Sequence, residues 1–537
     1  MRKSPKRKSV MKHDFSRIPA ANIPRSAFNR SHGLKTTFDS GLLIPFYLDE
    51  VVPGDTHSVR AHALARLATP IHPVMDNMFL ETFFFFVPNR LVWSNWEKFM
   101  GEQDNPGDST DFVIPTLPSE PTGYAENSIY DYFGIPTKVT SQFTHSVLPL
   151  RMYNLIWNEW FRDENLQDSA LVRTGDSGDA RSDYALLSRG KRHDYFTSCL
   201  PWPQKGPGVD LPLGTTAPIK TYDYDAGTGE VLSQNSSPGQ TIGVNLAAST
   251  GGNRQDSSLA ELTTSVVGAP DVTLAADLTD ATASTINDLR QAFQIQKLQE
   301  RDARGGTRYQ ELVLAHFGVR GGDARLNRPE FLGGGHTPIS ITQVPQTGFT
   351  ATDVQTSDTP QGNLAGYGTA NMSGDGFTKS FVEHGYIIGL CNVRADLTYQ
   401  QGLERLWSRS TKYDFYWPAL QALGEQSVLN KEIYTQGTPD DDLTFGYQER
   451  WAEMRYKNSI ITGEFRSNAA QSLDPWHLSE DFGSLPVLGD TFITSKPPID
   501  RVIAVTGEPQ FIMDTYFQVK SVRPMPTYSV PGYIDHF

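Results

Sequence analysis

Four consecutive phenylalanines, Phe83 to Phe86 in ETFFFFVPNRLVWSNW, constrain this chain more than any other feature. An extended strand sends alternate side chains to opposite faces, so Phe83 and Phe85 point one way and Phe84 and Phe86 the other. A strand at the surface of a sandwich is apolar on one face only. Rings on both faces demand a covering layer on each side. Trp93 and Trp96, just beyond the run, add further aromatic area that has to be hidden.

The neighbouring sequence supports a β-rich body. GLLIPFYLDEVV is apolar and ends at the turn Pro53-Gly54-Asp55. In SVRAHALARL, Val59, Ala61, Ala63, Ala65 and Leu67 share one parity, while Arg60, His62 and Arg66 take the other. That period of two predicts a strand. FVEHGYIIGLCNV, DRVIAVTGE and QFIMDTYFQVKSV read as further strands, the last with Phe511, Met513, Phe517 and Val519 on one face. Gly and Pro are frequent (45 and 35 residues) and charged residues make up only 20%, as expected where turns are many. Strands near both ends, with helices and insertions between, fit one β-sandwich or barrel over 41–537, decorated by its loops. Helical insertions are expected around 90–100, 150–165 and 286–304; the second carries Tyr153, Ile156, Trp157 and Trp160 at helical spacing.

Two segments differ from that body. Residues 1–40 read as an extended arm, basic at its start: Arg2, Lys3, Lys6, Arg7, Lys8 and Lys12 are six of the 47 basic residues, and no acid lies among them. The whole chain is nevertheless acidic, at −14. Such an arm can neutralise phosphates without reading sequence, or simply remain solvated. From 205 to 284 Gly, Thr, Ser, Ala and Asp dominate and aromatics nearly vanish, which predicts an exposed insertion with at most a few short strands. In the helix that follows, Arg290, Lys297, Arg301 and Arg304 fall in one stripe, a solvated face or a phosphate contact.

Motifs for chemistry are sparse. There is no GxSxG, HExxH, P-loop or CxxC, and no apolar stretch approaches membrane-spanning length. His57 and His62 differ in parity and do not converge on a metal. Asp440 to Asp442 offer oxygens that suit a structural calcium ion, although an acidic solvated loop explains them as well. Gly333-Gly334-Gly335-His336 reads as a turn or an anion-binding nest. No cofactor is implied. Two cysteines, Cys199 and Cys391, make no disulfide framework, and Cys391 reads as a buried apolar residue; assembly in a reducing cytoplasm is expected.

FSRIPAANIPRSAFNRSHGLKTTFDSGLLIPFYLDEVVPGDT resembles the start of the major capsid protein of microviruses, the gokushovirus group in particular. Further blocks are Leu80 to Trp93, LRQAFQIQKLQERDARGGTRYQELVLAHFGV, FGYQERWAEMRYK and DTYFQVKSVRPMPTYSVPG, in the family's order. The resemblance implies an eight-stranded antiparallel jelly-roll, sixty copies of which close a T=1 icosahedral shell around circular single-stranded DNA. It implies a small basic DNA-binding protein as a viral partner, and insertions that protrude from the shell. On that footing the 205–284 insertion is expected to touch a receptor on the bacterial surface. The basic arm and the Arg290–Arg304 stripe are expected to face the interior. One phenylalanine pair would fill the barrel and the other meet an insertion helix or a neighbouring subunit, with Trp93 and Trp96 as anchors; cover of both faces by the chain's own helices is the alternative. A secreted β-sandwich carbohydrate-binding protein or glycosidase, or a single-strand DNA-binding scaffold without a shell, are the competing readings.

Overall fold

The computed structural model describes residues 24–176, 178–209, 219–224, 231–233, 272–276, 286–305, 311, 315–317, 327–348 and 362–528. The basic residues Arg2 to Lys12 lie outside them. The chain separates into two compact units, 1–203 with 318–537, and 204–317.

The larger unit is built on two antiparallel sheets, mainly β as the resemblance implied. Its strands, in chain order, are β1 (Ser26–Asn29), β2 (His32–Phe38), β3 (Ile44–Val51), β4 (Thr56–Leu67), β5 (Met78–Pro88), β6 (Glu330–Pro338), β7 (Ser340–Pro345), β8 (Leu364–Ser380), β9 (Gly385–Ala395) and β10 (Phe511–Arg523). One sheet runs β1-β10-β4-β8-β7, with β2 also paired to β10; the other runs β6-β5-β9-β3. Chain ends meet inside the first sheet, where β10 pairs β4 from Phe511–Leu67 to Val522–Thr56.

The alternation in β4 holds residue by residue: His57, Val59, Ala61, Ala63, Ala65 and Leu67 are buried, and Arg60, Leu64 and Arg66 are exposed. β10 does the same with Phe511, Met513, Phe517 and Val519 inward. These residues face Phe46, Leu80, Phe84, Phe86, Ile387 and Cys391 of the second sheet across a common core.

The opposite face of the second sheet is also covered. Helix α1 (Leu148–Trp160) and its flanking loops hold Leu150, Tyr153, Ile156, Trp157, Trp93 and Tyr124 in one cluster with Phe85, Ile388 and Leu390. Phe85 packs on Trp160 and Phe161, with ring centroids 5.5 and 5.8 Å apart. β5 and β9 are therefore buried on both sides, which is why their sequences are apolar throughout.

Several sequence expectations need correction. The described part of the arm is extended, as read, but 26–29 and 32–38 are strands paired to β10 and Phe38 enters the core. Residues 89–100 are helical only in two short pieces, a 3-10 helix Asn89–Leu91 and a four-residue α-helix Trp96–Phe99, because Ser94 and Asn95 between them bond to Thr174 and Asp176. DRVIAVTGE is no strand: Ile499–Arg501 is a 3-10 turn, and Ile499, Val502 and Ile503 reach the core at one-turn spacing. The glycine triplet is neither turn nor nest but lies in β6, where a Cβ on Gly334 would strike the Thr82 carbonyl and one on Gly335 the Asp375 carboxylate.

Two buried charge clusters clamp the layers. Glu81 of β5 accepts from Arg394 of β9 (2.7 Å), Arg192 (3.3 Å) and Arg189, and its Oε1 lies 3.1 Å from His336 Nδ1. Burial works against its charge, but Arg189 and Arg394 overcome that and hold its pKa down at about 2. At the start of β4, His57 lies 3.2 Å from Asp55 and 3.1 Å from Ser521 of β10, while Arg30 binds Asp49 through both carboxylate oxygens. Burial lowers the His57 pKa below its ordinary value, against the pull of Asp55 and Asp49.

In the smaller unit, Ile219–Tyr224 pairs antiparallel with both Val272–Ala276 and Val231–Ser233, a three-stranded sheet within the expected insertion. Its remaining residues between 210 and 285 lie outside the described ones. Helix α2 (Ile286–Arg304) ends at Gly305, and Arg290, Lys297, Arg301 and Arg304 are all exposed on it, opposite the buried Ala292 and Ala303.

Candidate assembly surfaces

A small third core anchors the part of the molecule best suited to contact. Strand Glu425–Leu429 pairs with Thr444–Glu449, and Val428, Ile433 and Phe445 close over Tyr195, Phe196, Tyr399 and Phe492. The loop projecting from it, 403–423, is rich in rings left largely uncovered by the described residues. Trp407 is 73% exposed, Tyr413 60% and Trp417 53%, with Phe415 and Tyr416 close behind. Leaving so many large apolar side chains in water marks an interaction surface.

Polar contacts beneath hold this loop in shape. Asp414 accepts from the backbone N–H groups of Ser410 and Thr411 and from the Thr411 hydroxyl; these bonds lower its pKa to about 2. Trp417 donates its indole N–H to the Lys412 carbonyl, and Trp451, in the left-handed region at φ 69°, donates to that of Leu420. Arg409 lies over the Phe415 ring at 5.5 Å and Arg450 over Trp451 at 4.3 Å. Fixing the rings beforehand reduces the ordering cost of contact.

A cavity of about 610 Å³ opens beside this loop, lined by residues that include Tyr195, Leu403, Arg405, Trp407, Glu432 and Tyr456. Glu432 accepts from Tyr195 (2.8 Å), Arg405 (3.2 Å) and the Leu429 N–H (3.0 Å). Burial raises its pKa in spite of Arg405. All three donors brace chain segments, so these groups serve architecture.

The structure separates the residues singled out from sequence. Phe84, Phe85, Phe86 and Trp93 are essentially unexposed within one subunit and offer a neighbour no area; Phe83 and Trp96 are only partly covered. Asp441 is no solvated acid, since it is buried and accepts from the Gln436 and Gly437 N–H groups, and Asp442 pairs with Lys431 at 2.7 Å. Among the described residues, no group of three His, Cys, Asp or Glu is placed to hold a metal ion. The 403–423 loop has no motif or period for pattern reading to find. Its signal is density, five aromatics between Trp407 and Trp417.

A sandwich sheathed on one side by its own insertions, bearing a prearranged aromatic loop, has the make-up of a coat subunit. The family described as capsid protein (F protein) matches residues 16–533, and the chain belongs to that family. Capsid protein VP1 of Bdellovibrio phage phiMH2K is 50% identical, covering 98% of each chain. VP1 of Chlamydia phage 1 is 45% identical and that of Spiroplasma virus 4 is 37% identical, each over 99% of both chains. These relatives are structural proteins and not enzymes, so the glycosidase reading falls. Identical subunits are the partners such membership implies, and the virion is the setting.

Proposed function

We propose that this chain is the major capsid protein of a gokushovirus-type particle, sixty copies of which close a T=1 shell around circular single-stranded DNA. The observation that carries the reading is the braced aromatic loop, whose rings stay exposed among the described residues, in a chain similar to a capsid protein over 98% of its length. Point symmetry lets each copy bury the same modest surface against its neighbours and leaves none unsatisfied once the shell closes. The subunits fold and assemble in the bacterial cytoplasm. The basic arm, Arg2 to Lys12, and the Arg290–Arg304 stripe neutralise phosphates inside, beside a small basic DNA-binding protein. The insertion at 205–284 contacts the host surface. Negative-stain microscopy of the purified protein tests the shell directly: closed particles of one diameter are expected, and a dispersed monomer at every salt and pH tried overturns the reading.

A further inference from the structure

The second sheet is covered on both faces, but among the described residues the first is covered on one only, which leaves a broad open β surface. Its outward positions follow from the register. On β4 they are Ser58, Arg60, His62, Leu64 and Arg66; opposite them on β10 stand Lys520, Gln518, Tyr516, Asp514 and Ile512. On β8 the facing residues are Thr378, Gly376, Ser373, Asn371 and Thr369, which add hydrogen-bonding groups and no charge. Lys35 of β2 lies against Asp514 at 3.1 Å. The outward-facing charges on these three strands and β2 are thus Lys35, Arg60, Arg66 and Lys520 against one carboxylate, Asp514, which is already paired. This surplus stands out in a chain whose net charge is −14.

Arg60 and Arg66 are six residues apart on one strand, about 20 Å. Between them Tyr516, 54% exposed, presents a ring beside His62. A flat track with cations at both ends, neutral donors along one flank and a ring at the centre matches an unpaired polynucleotide, whose phosphates repeat along a line and whose bases stack on aromatic faces. We infer that the open face of the β1-β10-β4-β8-β7 sheet binds the backbone of single-stranded DNA, with Arg60, Arg66 and Lys520 on phosphates and Tyr516 against a base. The inference rests on the genome-enclosing reading and assigns the surface for it. Contact is sequence-independent, because phosphate neutralisation and stacking on a ring carry no base-edge readout.

The test uses the full-length unassembled subunit and fluorescein-labelled oligo(dT). The triple variant Arg60→Gln/Arg66→Gln/Lys520→Gln should bind on the order of 100-fold more weakly in 0.1 M salt, and the slope of log affinity against log salt should shrink by roughly 2. Arg60→Lys/Arg66→Lys keeps the charge and should bind nearly as the parent does. Lys98→Gln/Lys138→Gln/Lys457→Gln, on lysines that sit near carboxylates elsewhere, should change neither quantity. Ultraviolet crosslinking of DNA-filled unmodified particles should mark the peptide holding Tyr516, a readout independent of any variant. Parent-like binding by the triple variant, or crosslinks joining this face to another protein copy, overturns the assignment and leaves the genome-enclosing reading intact. Failure of the parent subunit to bind DNA, together with nucleic-acid-free particles, overturns both.

Discussion

Phe84 and Trp407 show how differently one chain spends its large apolar residues. Phe84 is fully buried between the sheets, against Phe46, Tyr47 and Phe377. Phe84→Ala should cost about 3–5 kcal/mol of subunit stability, read by urea unfolding, because the vacated space stays partly empty. Trp407→Ala should change subunit stability by less than about 0.5 kcal/mol yet raise the protein concentration needed for shell formation at least tenfold, read by light scattering. Equal effects of the two substitutions on unfolding would contradict this division of roles. The sequence makes Phe84 conspicuous because it stands in an unbroken apolar run, β5 being covered on both faces. Trp407, Tyr413 and Trp417 obey no period, since they lie in a loop and not along a strand or helix packed on a core.

Whole elements were legible where their surroundings were simple. β4 and β10 alternate because one side meets the core and the other is open, so period and burial coincide. α1 was equally plain, its stripe of Tyr153, Ile156 and Trp157 lying flat on β9 and its neighbours. Ile499 to Ile503 misled because a single turn buries apolar residues without extending into a strand. The glycines of β6 could not be understood without Thr82 and Asp375, which belong to strands distant in sequence. The Glu81 cluster ties β5, β6 and β9 to the Arg189–Arg192 loop, and its pH response has a definite sign. A carboxyl held at about 2 when folded, against an ordinary 4.5, prefers its charged form in the fold. Its contribution is complete above about pH 4.5 and is lost as pH falls toward 2. Glu81→Gln should lower stability at pH 7 by roughly 3–5 kcal/mol, since three guanidiniums lose their shared anion. It should also flatten the loss of stability between pH 4.5 and 2; an unchanged acid limb would refute the assignment.

At the scale of the molecule, the sheets divide their tasks: the second is covered outside by α1 and its flanking loops, and the first presents, among the described residues, an open, basic face. Residues 204–317 form a compact unit of their own. Exchanging residues 205–284 for the equivalent segment of a related capsid protein should therefore leave particle diameter unchanged and alter which cells adsorb the particle, measured by a binding assay on both hosts. Unaltered adsorption would remove the receptor role. The account's central claim is that the rings of the 403–423 loop are hidden only between identical copies in a closed shell. Charge-detection mass spectrometry of the empty particle measures that closure most directly. With a subunit of 59.7 kDa, sixty copies predict a single species of about 3.6 MDa. A ladder of open oligomers, or the single-subunit mass alone, would contradict it.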